Sequence, residues 1–377
     1  MIKYCKSCLF PNTKPDIFFD NKDICDACIS AERKHKNIEN NLDWNEREKE
    51  FEKIIEEKLI NKHEREYDCI VPVSGGKDST WQTHVMKKKH GLRTLAVTFD
   101  QFDQSDIGLH NLEILKSIGV DHIHFSLNPN IVKKLVFKGF DTIGDPYWVN
   151  HVGMFTVPIH IAVKFKIPLI VYGENPIFEY GGPKHSRDNM IMNKRWRQEF
   201  GGMRGYREED MLDEEISEND IKMLFYPSDK DIEKNNIQAV FYGYYFKWRP
   251  SKHTKFVKEQ YGWKSLKKAP SGSYMKEENC DMEFIDIRES IKYLKYGYGR
   301  ATDQLNIEIR DKLISRKEAL KIVKKIDGKV SKKNIKKFCE YLNISFNEYN
   351  NIISNFVNKE LFYLSNKGNW KLKKARY

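Results

Sequence analysis

Long apolar runs are missing from this chain of 377 residues. No stretch approaches the roughly 18 residues that a membrane-spanning helix needs. Residues 1–11 carry a cysteine pair and no long apolar stretch, so we expect no signal peptide and a cytoplasmic location. Low-complexity tracts and internal repeats are also missing, and aromatic residues make up 13% of the chain, which is more than disordered chains have. A mean hydropathy of -0.67 fits a globular protein with a water-facing surface.

Cysteine is scarce beyond residue 28, where only Cys69, Cys280 and Cys339 occur, widely spaced and without a CxxC pair. The other four cysteines form two CxxC pairs separated by sixteen residues: Cys5, Cys8, Cys25 and Cys28. Two such pairs can surround one tetrahedral Zn²⁺ with four thiolates, and the turn-rich segment between them fits a zinc ribbon. The alternatives are two disulfides or four unrelated thiols. Four cysteine ligands leave no open position, so the predicted role of the zinc is structural.

Positive charge is in excess, with 65 Lys and Arg against 54 Asp and Glu, a net charge of +11. Such a balance favours an anionic partner: a nucleotide, a phosphorylated or acidic sugar, or nucleic acid. The alternative is that a lysine-rich chain is simply basic. Much of the excess comes from residues 314–377, where we expect a solvated or protein-docking surface rather than a nucleic-acid site.

Short apolar runs alternate with helical patterns in the middle of the chain. The predicted strands are 68–73, 94–99, 122–125, 169–172 and 239–242, and the predicted helices are 42–65, 80–90, 107–118, a stretch from Pro129, and 152–165. This alternation predicts an α/β fold with a parallel, doubly wound sheet. Residues 173–250 look irregular. Beyond them, a capping box at Ser315 predicts a helix to Ile326, followed by helices from Ser331 and Phe346.

The pattern divides the chain into four segments. We expect a zinc ribbon over 1–35, a linker helix over 36–66, a nucleotide-binding domain with substrate-side insertions over 67–250, and a mostly helical region over 251–377.

A glycine turn between the first strand and its helix carries the clearest chemistry. It reads Ser74, Gly75, Gly76, Lys77, Asp78 and Ser79. A turn without β-carbons lets backbone N–H groups approach a polyphosphate, and the helix that follows adds its free amides and positive dipole end. The two serines supply hydroxyl groups and Lys77 supplies a charge. The spacing fits neither a Walker A loop nor the Rossmann fingerprint.

These residues resemble the PP-loop of the N-type ATP pyrophosphatases. The resemblance implies a PP-loop type of α/β fold in which residues 74–79 hold the pyrophosphate of ATP. It also implies cleavage between the α and β phosphates and transfer of AMP to a substrate oxygen, with Lys77 and Asp78 at the reacting phosphates. Asp100, at the end of the second strand, is a candidate for ribose or Mg²⁺, or else a solvated loop residue.

Nearly the whole chain resembles the N-acetyl sugar amidotransferases of lipopolysaccharide and nonulosonic acid pathways. The motifs are the cysteine pairs, the PP-loop, Tyr172-Gly173-Glu174-Asn175, Glu179-Tyr180-Gly181-Gly182, and the run from Lys295 to Asp303. The resemblance implies conversion of a sugar acetamido group to an acetamidino group. Ammonia would come free, or from a separate glutaminase with a cyclase-like channel subunit.

Several side chains become candidates for the sugar site. Lys295 and Arg300, flanked by glycines, are expected to clamp phosphates or an acidic sugar, unless they belong to a basic surface loop. Glu174 would orient ammonia or bind Mg²⁺, unless it is a structural carboxylate. The segment with Asn175, Tyr180, Gly181 and Gly182 would form the sugar pocket, or is a plain turn.

Two alternatives stay open. His151 and His160 share a predicted helix nine residues apart, and we expect packing or surface roles rather than metal binding. Some tRNA-thiolating enzymes also pair zinc knuckles with a PP-loop, but that route usually needs central cysteines for a persulfide or an iron–sulfur cluster. The three cysteines after the ribbon are widely spaced and form no CxxC pair, which counts against thiolation.

Overall fold

Five parallel strands form the central sheet, in a computed structural model that describes residues 2–32, 44–60, 65–174, 191–366 and 368–373. In chain order the strands are β1 (Cys69–Pro72), β2 (Thr94–Phe99), β3 (Asp121–Phe125), β4 (Leu169–Tyr172) and β5 (Gln238–Phe241). Their spatial order is β3-β2-β1-β4-β5. Every neighbouring pair is parallel, which confirms the predicted α/β sheet.

The order of the strands creates one switch point. The chain moves from β1 to β2 and β3 on one side, then crosses back to place β4 and β5 on the other. Strands β1 and β4 are therefore neighbours whose following loops run in opposite directions. Ligands of open parallel sheets bind beyond the carboxyl ends of the strands at such a point.

Helices cover both faces of the sheet. Ile70 of β1 belongs to one hydrophobic core, whereas its neighbours Cys69 and Val71 belong to the core on the other face. All residues of β2 and β4 are buried. Burial on both sides explains why these strands read as unbroken apolar runs in the sequence.

Helices connect and surround the strands, and none in the described ranges is long and apolar enough to cross a membrane. Helix α1 (Trp44–Lys58) precedes β1. Between the strands lie α2 (Lys77–His84), α3 (Asp106–Ile118), α4 (Pro129–Lys138), α5 (Trp148–Phe165), α6 (Lys194–Phe200) and α7 (Asp229–Lys234). After β5 follow α8 (Tyr242–Tyr245), α9 (Pro250–Tyr261), α10 (Ile285–Tyr296), α11 (Arg300–Arg310), α12 (Arg316–Ile326), α13 (Lys332–Leu342) and α14 (Phe346–Asn355). A hairpin of β6 (Phe362–Leu364) and β7 (Trp370–Leu372) comes last.

Three predicted helix boundaries are wrong. Helix α2 begins at Lys77 rather than residue 80, because Gly76 already has the extended backbone of an N-cap. Helix α5 begins at Trp148 rather than residue 152, and its first turn is buried in the core instead of forming a loop. Helix α1 ends at Lys58, well before residue 65. The four predicted segment boundaries stay predictions.

The linker helix is part of the folded core. Phe51 of α1 is fully buried and packs its ring against Tyr242, Tyr245 and Phe246 at 5.2–5.6 Å between centroids. Short helices also occupy much of the region that the sequence leaves irregular, including α6, α7 and α8. These helices are too short to show a clear 3.6-residue periodicity.

Candidate functional site

The glycine turn lies at the carboxyl end of β1, at the switch point. Gly75 has a φ of +87°, and a β-carbon there would lie 2.7 Å from the carbonyl oxygen of Gly108 in α3. Only glycine fits this position, because both the backbone conformation and the close approach exclude a side chain. The indole Nε1 of Trp263 donates to the Gly75 carbonyl oxygen at 2.9 Å and holds the turn from the other side.

The first turn of α2 presents backbone donors beyond the sheet edge. The amides of Lys77, Asp78 and Ser79 occupy the helix positions that have no intrahelical acceptor. The Ser79 hydroxyl donates to the Gly76 carbonyl oxygen at 3.2 Å, so it braces the turn. With the helix dipole, this arrangement can bind a phosphate group.

Lys77 and Asp78 form an ion pair inside this turn. The Lys77 Nζ lies 2.8 Å from Asp78 Oδ2, and the lysine side chain is 9% exposed. Burial opposes its charge most strongly, but Asp78, Glu278 and Glu174 outweigh it and hold the pKa of Lys77 above its ordinary value. The side chain is therefore an ammonium group at neutral pH.

His253 of α9 orients the Asp78 carboxylate. Its Nε2 accepts a hydrogen bond from the backbone N–H of Arg249 at 3.4 Å, so a neutral ring carries its proton on Nδ1 and donates it to Asp78 Oδ1 at 2.8 Å. The ring stacks on Trp81 of α2 with centroids 3.8 Å apart. Burial lowers the pKa of His253 and outweighs the opposite effect of Asp78, which favours the neutral ring.

Glu278 links the turn to Arg300. Its Oε2 accepts from Arg300 Nη2 at 2.6 Å and from Gln304 Nε2 at 2.7 Å, and the carboxylate also acts on Lys77. Burial opposes the charge of Glu278, yet Arg300 and Lys77 keep its pKa below the ordinary value. Arg300, the first residue of α11, thus belongs to the charge network of the turn.

A second group of buried acids lies beneath the turn. Asp281 accepts from Gln101 Nε2 at 2.6 Å and interacts with the Ser74 side chain, while burial raises its pKa. Burial also raises the pKa of Asp103 to about 7, although Tyr147 and the backbone N–H of Phe284 donate to it. These acids tie the segment after α9 to the loop after β2.

The other predicted residues lie around this centre or outside the described residues. Asp100 bonds His124 at 3.1 Å and Ser126 at 2.8 Å, on the β3 side of the sheet. Glu174 follows β4, close enough to Lys77 to raise its pKa. Lys295 donates to the Ile143 carbonyl oxygen, in a cleft of its own. Outside the described residues lie Asn175, Tyr180, Gly181 and Gly182.

Four thiols at the N-terminus form a cluster suited to a metal ion. The Sγ atoms of Cys5, Cys8, Cys25 and Cys28 all lie within 4.8 Å of one another, and all four residues are buried. The pairs Cys5–Cys28 and Cys8–Cys25 are 4.0 and 3.6 Å apart. Four sulfurs at the zinc–sulfur bond length would be about 3.8 Å apart in a tetrahedron, so the cluster fits Zn²⁺.

The cysteine segment packs against the C-terminal helices. Arg316 of α12 donates to the carbonyl oxygens of Cys8 and Cys5 at 3.0 and 3.1 Å, and Asn306 of α11 accepts from the Leu9 amide at 2.7 Å. Helix α11 begins with Arg300, so the cysteine segment and the charge network both contact this helix.

Sequence reasoning missed His253, Glu278 and Trp263. All three lie more than 170 residues beyond the turn that they contact, in segments without a motif. The sequence feature that could have indicated Glu278 is the acidic segment that contains it, which lies between two basic stretches. The two expected packing histidines lie in α5, where His160 bonds the Phe225 carbonyl oxygen at 2.7 Å.

Comparisons with known proteins give a family for the C-terminal part. An uncharacterized protein of Methanocaldococcus jannaschii is 31% identical over 121 residues, which cover 31% of this chain and 40% of that relative. The structure of NMN synthetase from Francisella tularensis overlaps 52% of this chain and 92% of its own at 14% identity, with a TM-score of 0.28. Residues 272–376 match the family model of the C-terminal domain of WbpG-like LPS biosynthesis proteins. This match confirms the resemblance drawn from the motifs for the C-terminal part: residues 272–376 form a domain of the WbpG-like LPS biosynthesis type.

Proposed function

We propose that the protein is an ATP-dependent amidotransferase that converts a sugar acetamido group to an acetamidino group in surface polysaccharide biosynthesis. The observation that carries the proposal is the glycine turn with its buried Lys77, at the switch point of a parallel sheet. The WbpG-like C-terminal domain supports the pathway.

The turn supplies what a pyrophosphate needs. Gly75 and Gly76 present no side chain, the amides of residues 77–79 have no intrahelical acceptor, and Lys77 is positive at neutral pH. Because Asp78 is held by His253, Lys77 can turn from Asp78 toward a phosphate oxygen while the carboxylate stays in place. These groups would stabilise the charge that develops on the departing pyrophosphate.

An amide carbon is a poor electrophile, because its nitrogen donates electrons into the carbonyl group. We propose that the acetamido oxygen attacks the α-phosphorus of ATP and that pyrophosphate leaves. Ammonia then adds to the activated carbon, one proton is lost, and AMP departs with the former amide oxygen. The products are the acetamidino sugar, AMP and pyrophosphate, and no oxidant or reductant is needed.

Mg²⁺ fits this site as a companion of the phosphates. Apart from the four cysteines, the described residues contain no group of three metal-ligating side chains with their ligand atoms within 4.8 Å. A magnesium site built from one or two carboxylates plus ATP oxygens needs no such group. Asp100 and Glu174 stay our candidate carboxylates, and bound Mg²⁺ would neutralise charge on the phosphates.

The sugar and ammonia sites are proposals drawn from the resemblance. Lys295, Arg300 and the segment with Asn175, Tyr180, Gly181 and Gly182 are the proposed sugar contacts, and Glu174 is proposed to orient ammonia. The three cysteines outside the metal cluster are 0–7% exposed, which fits neither a glutaminase nucleophile nor thiolation chemistry. We therefore propose that ammonia enters free or from a separate glutaminase with a channel subunit.

The test incubates the purified protein with ATP, Mg²⁺, ammonium and a panel of acetamido sugars, free and nucleotide-linked. We expect AMP and pyrophosphate in equal amounts, together with a sugar whose mass falls by the difference between an oxygen atom and an imino group. ADP and phosphate as products would contradict the proposal. Tight, steeply salt-dependent tRNA binding without conversion of any sugar would favour the tRNA-modifying alternative.

Matched variants connect the activity to the turn. Ser74→Ala and Asp78→Ala are expected to abolish turnover while the circular dichroism spectrum stays that of the wild type. Asp106→Ala removes an exposed carboxylate from the first turn of the neighbouring helix α3 and should leave turnover unchanged.

A further inference from the structure

A basic cleft lies outside the predicted ATP site. Its lining includes Arg204, Arg288, Lys292 and Lys295, with Asp145 as the single lining carboxylate. The cleft has a volume of about 20 Å³ and is partly open to solvent, and Gly144 forms part of its wall. A β-carbon on Gly144 would lie 2.9 Å from Lys295 Nζ, so the wall is closely fitted.

Two of the four cations are already neutralised by buried acids. Arg288 bonds both oxygens of Asp145 at 3.0 and 3.2 Å and also bonds Glu289 at 3.0 Å. Lys292 contacts Glu289 and lies 2.6 Å from Asp303. Their carboxylate partners are about 5–10% exposed, so these pairs form the fixed floor of the cleft.

The other two cations are poorly compensated. Arg204 approaches Asp145 only to 3.8 Å, and its side chain is 37% exposed. In the part of the chain that the structure describes, no carboxylate lies within 4.0 Å of Lys295, which donates instead to a carbonyl oxygen and lies over the ring of Phe356. Burial, helped by Arg204 and Arg288 and opposed by Asp145, lowers the pKa of Lys295 to about 8. A buried ammonium without a carboxylate partner is stabilised by an incoming anion.

A buried neutral imidazole next to these charged side chains also has an unpaired polar atom. His151 of α5 interacts electrostatically with Arg288, Asp145 and Arg204, and burial lowers its pKa to about 3. Its Nε2 is buried and has no hydrogen-bond partner. A β-carbon on Gly202 would lie 2.8 Å from the ring, so the histidine is held in place beside the cleft.

The cleft and the turn belong to one network. Glu289, on the cleft floor, is stabilised by Arg300, and Arg300 pairs with Glu278 beside Lys77. A ligand in the cleft would thus lie on the Arg300 side of the phosphates of ATP. At about 20 Å³ the cleft has room for one or two water-sized groups, so it suits one anionic group of a larger molecule and not a whole ligand.

We propose that this cleft is the subsite for an oxyanion of the sugar substrate, a carboxylate or a phosphate, bound by Arg204 and Lys295. This inference rests on the proposed function and deepens it, since it separates the sugar's anion from the phosphates of ATP. Arg204 offers the planar guanidinium that pairs with either oxyanion, and Lys295 offers an ammonium group with no carboxylate within 4.0 Å among the described residues.

Direct binding tests the subsite without any turnover. Calorimetry of the whole protein uses three probes: an acetamido uronic acid, UDP-N-acetylglucosamine, and free N-acetylglucosamine. We expect Arg204→Gln and Lys295→Met to weaken binding of one or both anionic probes about 10- to 100-fold. Arg207→Gln, an exposed arginine three residues along, should leave binding unchanged. The probe that responds identifies the source: the uronic acid indicates a carboxylate, and the UDP-sugar a diphosphate.

A proton count gives a second readout. Because an anion raises the pKa of Lys295, binding near pH 8 should take up protons, measured from the buffer dependence of the binding heat, and Lys295→Met should remove that uptake. The subsite would be overturned if the two variants weakened binding of neutral N-acetylglucosamine as much as binding of the anionic probes. It would also be overturned if they raised the KM for ATP and left sugar binding unchanged. If the wild type binds acidic probes with these effects yet converts no sugar, the proposed function fails while the cleft stands.

Discussion

Glu278→Gln is expected to destabilise the protein strongly, although it changes one atom. The side chains of Glu278 and Arg300 are 15% and 19% exposed and 2.6 Å apart, and the charge of Glu278 also stabilises the Lys77 ammonium group. The substitution leaves two buried cations with one carboxylate fewer. Breaking a buried pair costs about 3–5 kcal/mol, and because glutamine keeps the shape and one acceptor, we expect a loss of about 2–3 kcal/mol.

The adjacent residue is a matched control. Glu277 pairs with Lys258 at 3.0 Å, but the side chains are 25% and 35% exposed. Glu277→Gln should therefore cost at most about 1 kcal/mol, and added salt should reduce that cost. The assay is urea unfolding of both variants, followed by tryptophan fluorescence at low and high salt. Equal costs for the two variants would refute the idea of a buried network that links the turn to Arg300.

Three other outcomes follow from the geometry. We expect metal analysis to find roughly one equivalent of zinc in the wild type and in Cys339→Ser, and none in Cys25→Ser, which should also loosen the helices packed on the ribbon; full zinc in Cys25→Ser would contradict the cluster. His253→Gln should lower kcat about tenfold with an unchanged circular dichroism spectrum, because Asp78 loses its orienting donor; unchanged kcat would show that Asp78 needs no support. Burial lowers the pKa of His151 to about 3, so the unfolded chain alone takes up this proton below its ordinary value of 6.5. Stability should fall by about 1–2 kcal/mol from neutral pH to near pH 5, and His151→Gln should flatten this dependence in urea titrations; an unchanged slope would contradict it.

The fold was largely predictable because strong local signals coincide with burial. Strands β2 and β4 match their predicted bounds, since both are apolar runs buried on two faces and bounded by turns. Helix α12 also matches, because Ser315 and Glu318 form the predicted capping box. Helices α6 to α8 escaped prediction because four to seven residues show no reliable period.

The site was predictable only where one continuous segment makes it. The glycine turn and the four cysteines are local patterns with a physical reason for their spacing. The partners of the turn are not local: His253, Glu278 and Trp263 reach it through the tertiary fold. The sequence also placed Lys295 and Arg300 in one predicted clamp. In the structure Lys295 lines the basic cleft, whereas Arg300 pairs with Glu278 in the charge network of the turn.

The fate of one oxygen atom tests the central claim most directly. An acetamido sugar labelled with oxygen-18 in its carbonyl group is converted with ATP and ammonium, and the nucleotide products are examined by mass spectrometry. Adenylation of the amide oxygen predicts that the label appears in AMP and that pyrophosphate stays unlabelled. Label in phosphate, or AMP formed without label while the sugar is converted, would contradict the account.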